Sequence, residues 1–491
     1  MVLMNVILIV SDTFRWDNLG CYGKSWVQTP NLDAFAEEAV VFGHTYATSF
    51  PTIPNRHDIF TGKCTFTYAE WAPLPRNENI LPQILRQAGY VTQLILDTPH
   101  MLANGSNFDR GFDGWQWIRG QENDRYMTSP REVKIPCDPR KLRDGVRVVT
   151  QYLRNVSQRR FESDYFVAQT MTAAARWLEL NYNRHEKFFL HVDTFDPHEP
   201  WDPPRWYVDM YDPDYEGEEV IYPVYGPCDY LTEDELGHCR VLYAAEVTMV
   251  DRWIGMLLRK IEDLGLSENT VVIFTSDHGF YLGEHGLMGK SIIKPGASGW
   301  ASLYEETAHI PLMIQMPDSN RGRCDALVQA HDLMPTILEI AGGSVPKDVH
   351  GGSLLPLLRN ERVPWREIAV TSPPIINGPV SGERITITNG EWSLIYPGQI
   401  EDALRDISQK GTPVLFPGAG FIKAPTTIKH LREALRNKLE PELYHLSSDP
   451  RQICNLFEEQ KDVAENLHSK MVKFLESIRT REEILRYWRE L

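Results

Sequence analysis

The chain has 491 residues, of which 42% are hydrophobic and 24% charged, and it carries a net charge of −17. That length suits roughly two to three domains with a core large enough to need no staples. The acid excess argues against a nucleic-acid surface, but it leaves a small anionic substrate open, because charge effects fade beyond ~8–10 Å at physiological salt. Residues 6–10, VILIV, are an all-apolar strand candidate running straight into Ser11 and Asp12. With no basic stretch before it and no small-residue cleavage site after it, this segment reads as a buried strand and not a secretory leader. Helical spacing follows over residues 31–39. A second helix is expected over 79–88, closed by Gly89, and then a strand over 90–96. Residues 164–180 form a longer amphipathic helix that feeds a strand, FFLHVDT, over 188–194. Residues 232–264 are mostly helical, opened by a Thr232/Glu235 capping box. The strand TVVIFTS spans 270–276, IPLMIQM spans 310–316, and a helix over 331–342 ends at Gly342.

Such alternation predicts an α/β fold: a doubly wound, mainly parallel sheet with helices on both faces. From Gly343 the texture changes. Two short strand patterns, ERITITN and EWSLIYP, meet at Asn389-Gly390, a strong hairpin signal, and a charged amphipathic helix begins near Asp462. The expected division is a catalytic α/β domain over 1–369 and a smaller C-terminal α+β subdomain over 370–491, with a short antiparallel sheet. Cys21, Cys64, Cys137, Cys228, Cys239, Cys324 and Cys454 are scattered without CxxC spacing, as free thiols in a reducing compartment would be. No apolar run reaches the ~20 residues of a membrane helix. A cytoplasmic protein with no membrane partner is expected, and a homo-oligomer stays open.

Ligands in such sheets collect at the carboxyl ends of strands. Asp12 ends the first strand, Asp193, Asp196 and His198 follow 188–192, and Asp277 and His278 follow 270–276. Carboxylates with an imidazole suit a divalent cation. The alternative is loop-capping acids beside a hydrogen-bonded histidine. In SFPTIPNRHDIFTG, Pro54 suits the first turn of a helix, which places Thr52 just outside its N-terminus, where backbone N–H groups favour an anion. Arg56 can point at the same place. Thr52 as a simple cap, with Arg56 paired to a surface acid, is the other reading.

These motifs carry a resemblance. LIVSDTFRWDNLGCYG, TPNLDAFA, TIPNRHDIFTGK, GYVTQLI, FFLHVDTFDPHEPW, SDHGFYLGEHGLMGK, HIPLMIQMP, HDLMPTILEIAG and ELYHLSSDPRQICNL occur in that order. Together they resemble the sulfatase family of the alkaline phosphatase superfamily along nearly the whole chain. The resemblance implies that Asp12, Asp277 and His278 hold a metal and that Thr52 is both nucleophile and metal ligand. It further implies that Arg56 steadies the nucleophile and Lys290 holds the transferred group. His198 binds substrate or protonates the leaving group, and His100 falls where a second active-site histidine is found.

Four departures shape the expected activity. The sulfatase nucleophile is normally a Cys or Ser oxidised to formylglycine, and the β-methyl of Thr52 forbids that aldehyde. His278 stands where sulfatases often have Asn and resembles phosphodiesterase members. Thr98-Pro99-His100 replaces the usual Lys-x-His, similar to the phosphonate monoester hydrolase branch. Thr13 stands where a second metal-proximal acid is expected. An ordinary sulfate ester of Thr52 has no aldehyde exit, whereas a phosphothreonine can be resolved by water.

The expected function is therefore metal-dependent hydrolysis of a small anionic phosphodiester or phosphonate monoester through Thr52. Lys290, Arg56 and the helix end would stabilise the equatorial oxygens, and His198 or His100 would protonate the departing alcohol. The alternatives are a sulfatase using unmodified Thr52 and a non-catalytic anion- or partner-binding protein. One divalent ion is expected, since Lys290 would repel a second. Mn²⁺ or Zn²⁺ is favoured, with Ca²⁺ and Mg²⁺ open. Asp193, Asp196 and His198, with His309 or His331, are the candidates for a second ion. The aromatic and acidic stretch 201–231 is either a lid over the site or a self-packed surface loop. Its acids favour a diester or a neutral leaving group.

Overall fold

The strand expected at 6–10 forms as Asn5–Ser11 and lies near the middle of an eight-stranded sheet. The computed structural model describes residues 4–23, 25–128, 132–144, 146–294, 297–379, 382–410, 414–415, 425–426 and 440–491. Along the sheet the strands run Gly322–Gln329, Val40–Tyr46, Leu312–Gln315, Thr270–Thr275, Asn5–Ser11, Phe188–Thr194, Val91–Leu96 and Gly114–Trp117. The neighbours from Thr270–Thr275 to Gly114–Trp117 are all parallel. Leu312–Gln315 is the exception, antiparallel to both its neighbours. The sheet is thus mainly parallel, as expected.

Alternation along Asn5–Ser11 explains why a continuous apolar run is needed there. Ile7 and Ile9 enter the core on one face, and Val6, Leu8 and Val10 enter the core on the other. Each such fully buried side chain contributes about 1.5–3 kcal/mol. Helices Phe166–Asn181 and Glu233–Asp263 cover the first face, and helices Thr52–Thr61, Leu81–Gln87 and Leu333–Ile340 cover the second. The Thr232 capping box is present: its hydroxyl accepts from the Glu235 N–H at 3.2 Å, and Glu235 accepts from the Thr232 N–H at 3.0 Å.

Val40–Tyr46, Gly114–Trp117 and Gly322–Gln329 were not among the expected strands. Their patterns are broken by Gly43 and His44, by paired tryptophans, and by Arg323 and Asp325. Each becomes a strand by pairing with a neighbour distant in sequence. The helix at 331–342 is shorter than expected, Leu333–Ile340 after a 3-10 turn.

Beyond the body, Ala369–Thr371, Ile385–Thr388, Trp392–Tyr396 and Glu442–His445 form an antiparallel sheet. Helix Lys461–Ser477 packs Leu467, Met471 and Leu475 on its apolar face. The hairpin turns one residue later than expected: Asn389 N–H bonds to the Trp392 carbonyl, so Gly390 (φ +88°) and Glu391 form the tip. Residues 380–381, 411–413, 416–424 and 427–439 of the expected C-terminal subdomain lie outside the described residues. All seven cysteines are free. No helix among the described residues is long and apolar enough to cross a membrane.

Candidate active site

Three parallel strands side by side end in buried carboxylates: Asp277 beyond Thr270–Thr275, Asp12 beyond Asn5–Ser11, and Asp193 within Phe188–Thr194. All three converge on the buried Arg56 guanidinium. Its Nε and Nη2 donate to Asp193 at 2.9 and 2.8 Å. Its Nη1 donates to Asp277 Oδ2 at 2.6 Å, lies 3.1 Å from Asp12 Oδ2, and reaches the Thr52 carbonyl at 3.3 Å. Arg56 therefore works inward, as a strut between the sheet and the helix start. That differs from the expectation that it would also meet substrate oxygens.

Thr52 is the first residue of helix Thr52–Thr61, one step further in than a cap position, and its side chain makes no capping bond. The hydroxyl instead receives a hydrogen bond from Lys290 Nζ at 3.1 Å and lies 3.2 Å from His278 Nε2. Lys290 comes from strand Leu287–Lys294 of a second, smaller sheet, and its Nζ is also 3.1 Å from His278 Nε2. Burial depresses the Lys290 ammonium, with Asp12, Asp277 and Glu199 working against that shift. His278 Nδ1 donates to the Gly279 carbonyl at 2.9 Å, which leaves the Nε2 lone pair facing the centre. Burial pushes His278 down to about 3, so the ring is neutral.

Ligand atoms of Asp12, Asp277 and His278 lie within 4.8 Å of one another. Asp12 Oδ2 is buried and accepts no hydrogen bond. Burial, and then Asp277, raise the Asp12 carboxyl well above its ordinary value. Burial also acts to raise Asp277, but His278, Arg56 and Lys290 overcome it and hold that carboxyl down. Two crowded carboxylate groups, one with an oxygen that accepts no hydrogen bond, beside a neutral imidazole and a hydroxyl make a donor set that fits a divalent cation.

Thr13 does not join these ligands. It sits at φ +61°, an outlier for a β-branched residue. Its N–H holds Asp277 Oδ1 at 2.9 Å, its hydroxyl donates to Asp12 Oδ1 at 2.6 Å, and its carbonyl accepts from the Tyr243 hydroxyl at 2.7 Å. The strained turn thus fixes both acids.

The candidates for a second ion are occupied elsewhere. Asp193 serves Arg56 and accepts from the Thr98 hydroxyl at 2.5 Å. Asp196 accepts from Gln121 and from the Val167 N–H. His309 pairs with Glu305 and stacks on Trp16, and His331 bonds to Thr48. His198 and His100 both contact the Phe195 ring, with ring centroids 4.0 and 5.7 Å away. Neither touches Thr52. His198 Nδ1 donates to the Glu199 carbonyl at 2.8 Å, and His100 Nε2 lies 2.9 Å from Glu122 Oε2. Burial, reinforced by Lys290, depresses His198 well below the usual histidine range.

Half of the eight aromatic residues of 201–231, namely Trp201, Tyr207, Tyr222 and Tyr225, are buried in the main core, while Asp212, Asp214 and Glu216 line a pocket with Glu233, Asp234 and His238. The reading of the sequence missed Glu122 and Arg143. Both lie in stretches without periodicity, and nothing local marks them. Glu199, next to His198 in DPHEPW, was visible but unassigned.

The family described as Sulfatase matches residues 4–344. The chain is similar to an N-acetylglucosamine-6-O-sulfatase of Bacteroides thetaiotaomicron, 27% identical over 74% of this chain and 73% of that protein. It is also similar to an arylsulfatase of Clostridium perfringens, 25% identical over 96% of this chain and 94% of that one. In fold it resembles the crystal structure of the phosphonate monoester hydrolase of Agrobacterium radiobacter, with a TM-score of 0.68 and 20% identity over 96% of each chain. With a match covering most of its length, this chain belongs to the sulfatase family of hydrolases.

Proposed function

We propose that this sulfatase-family hydrolase cleaves phosphoric esters, either phosphodiesters or phosphonate monoesters, with Thr52 as covalent nucleophile. The observation that carries the reading is the place of the Thr52 hydroxyl, at the start of a helix within 3.2 Å of both His278 Nε2 and Lys290 Nζ. Asp12, Asp277, His278 and Thr52 would hold one divalent ion, with Mn²⁺ or Zn²⁺ favoured by the imidazole. When bound, that ion would acidify the hydroxyl and polarise the ester. Arg56 fixes the Thr52 backbone. Lys290 faces the hydroxyl, where it can accompany the transferred group's charge. The phosphothreonine is then hydrolysed by water, which a secondary alcohol ester permits without an aldehyde exit.

The names of the relatives favour a second reading, a sulfatase using unmodified Thr52. A panel of aryl sulfates, phosphodiesters and phosphonate esters with several divalent ions separates the two, together with mass spectrometry of residue 52. A phosphodiester or phosphonate ester should turn over fastest and leave a phosphorylated Thr52, whereas faster sulfate turnover overturns the preference. Thr52→Ala should abolish turnover while circular dichroism and melting stay near wild type. Near-wild-type rates in that variant would remove Thr52 from the chemistry.

A further inference from the structure

His100 and His198 are joined through a buried polar bridge that the centre around Thr52 does not use. Glu122 Oε2 lies 2.9 Å from His100 Nε2, and its Oε1 accepts from the Tyr222 hydroxyl at 2.7 Å and Arg143 Nη2 at 3.3 Å. Arg143 Nη2 continues to Glu199 Oε1 at 2.5 Å, which the Tyr225 hydroxyl also meets. Glu199 Oε2 lies 3.1 Å from His198 Nδ1. The Arg143 guanidinium is packed over Tyr222 and Tyr225, 4.3 and 3.9 Å from the ring centroids. Glu122 itself sits at φ +43°, a costly conformation for a non-glycine residue and one that clusters at functional sites.

The two histidines are not equivalent. His100 Nε2 and the buried Glu122 Oε2 are 2.9 Å apart, too close for two facing lone pairs, so the proton belongs on Nε2 although the contact is not aligned as a hydrogen bond. His100 is therefore Nε2–H, oriented by Glu122, and its Nδ1 has no partner among the described residues. His198 is the opposite tautomer, with Nδ1–H bonded to the Glu199 carbonyl. It also shares its surroundings with the Lys290 ammonium and the Arg143 guanidinium, which disfavour a second proton. The ring of His100 is flanked by Trp71 and Phe195, and its partner Glu122 is held as a carboxylate, at about 2, because His100 and Arg143 outweigh its burial.

We propose that Glu122, tied through Arg143 to Glu199, is a positioning residue that presents His100 as the proton donor to the departing oxygen, and that His198 is not that donor. The inference rests on the hydrolytic reading above. In the donating state His100 is an imidazolium, with Nε2–H on Glu122 and a second proton on Nδ1. As the ester bond to the transferred group breaks, its electron pair goes to the leaving oxygen, which takes that Nδ1 proton and leaves the ring neutral. The imidazole, still Nε2–H on Glu122, then takes a proton from the water that attacks the esterified Thr52. The Thr52 oxygen leaves with its electron pair, and both groups return to their starting states. Glu122 carries the charge that balances the imidazolium present before the first step and again after the second.

The test compares esters with good and poor leaving groups, p-nitrophenyl against methyl, on the metal-loaded full chain. A proton donor matters little for a good leaving group and much for a poor one. Glu122→Gln keeps the shape and an acceptor but removes the charge, so methyl ester turnover should fall about 100-fold and p-nitrophenyl turnover less than 5-fold. His100→Ala should show the same split, and His198→Ala should lower both substrates equally. Equal losses in Glu122→Gln, or a split in His198→Ala that is missing in His100→Ala, would overturn the proposal. A readout independent of turnover is the ¹⁵N shifts of the ring nitrogens at a pH where both rings are neutral, which should report Nε2–H for His100 and Nδ1–H for His198. An Nδ1–H tautomer at His100 refutes the orientation even if no ester is hydrolysed. Failure of the whole ester panel with the expected tautomers present would count against the hydrolytic reading and leave Glu122 as the orienting residue.

Discussion

Asp12 and Asp193 belong to adjacent parallel strands, are both fully buried, and both touch Arg56, yet their surroundings treat them oppositely. Asp193 takes two hydrogen bonds from Arg56, one from Thr98 and a weaker contact from His191, and these outweigh burial to keep its carboxyl below the ordinary value. Asp12 Oδ2 has only the ion-pair contact with Arg56 and accepts no hydrogen bond, a second carboxylate stands beside it, and its carboxyl is raised, by burial first and then by Asp277. A buried carboxylate with its partners complete is scaffold. One left incomplete, against a neutral imidazole and a hydroxyl, marks the place for a cation. Arg56 thus separates structure from chemistry within a single cluster.

Substitutions can break this comparison. The largest effect is expected from Asp12→Asn. Loss of a cation's several kcal/mol of transition-state stabilisation should cost about a thousandfold or more in turnover. Calorimetric titration with the divalent ion should show binding abolished, while the melting temperature of the metal-free protein does not fall. Retained ion binding would move the centre elsewhere. Asp193→Asn should do the reverse at first order and destabilise the protein by about 3–5 kcal/mol, because Arg56 keeps its charge and loses its main partner. Urea unfolding measures this, and a stable variant that is merely inactive would make Asp193 a member of the chemistry.

The same deficit should depend on pH in a known direction. Asp193 is depressed in the folded chain, so its stabilisation is complete above its ordinary value of 3.8 and is lost as the pH falls below that towards the folded value. The wild-type and Asp193→Asn unfolding midpoints should differ most near pH 7 and converge in acid. The smallest effect is expected from Thr98→Val, which removes one hydrogen bond to a charged acceptor. It should cost about 1.5 kcal/mol of stability and leave turnover within a few fold. A large kinetic loss there would place Thr98 in contact with substrate.

Much of the fold was legible because the strands under the site are apolar on both faces and end abruptly in acids. VILIV before Asp12, FFLHV before Asp193 and TVVIFTS before Asp277 need no partner to be recognised as strands. Val40–Tyr46 and Gly322–Gln329 pair chiefly with each other at the sheet's edge, and their mixed composition hid them. At the site, the motif residues Thr52, Asp277, His278 and Lys290 lie together, whereas Arg56 turns inward and Asp193 and Asp196 take scaffold partners.

The sequence by itself determined the alternating architecture, the absence of an oxidisable Cys or Ser at position 52, and the family whose motifs run through the chain. Those properties depend on residue type and order, which are local. Only the tertiary structure decided which acids are satisfied, which groups face each histidine's ring nitrogens, and that Glu122 and Glu199 stand beside them. Such differences arise from desolvation and hydrogen bonding between residues that lie far apart along the chain.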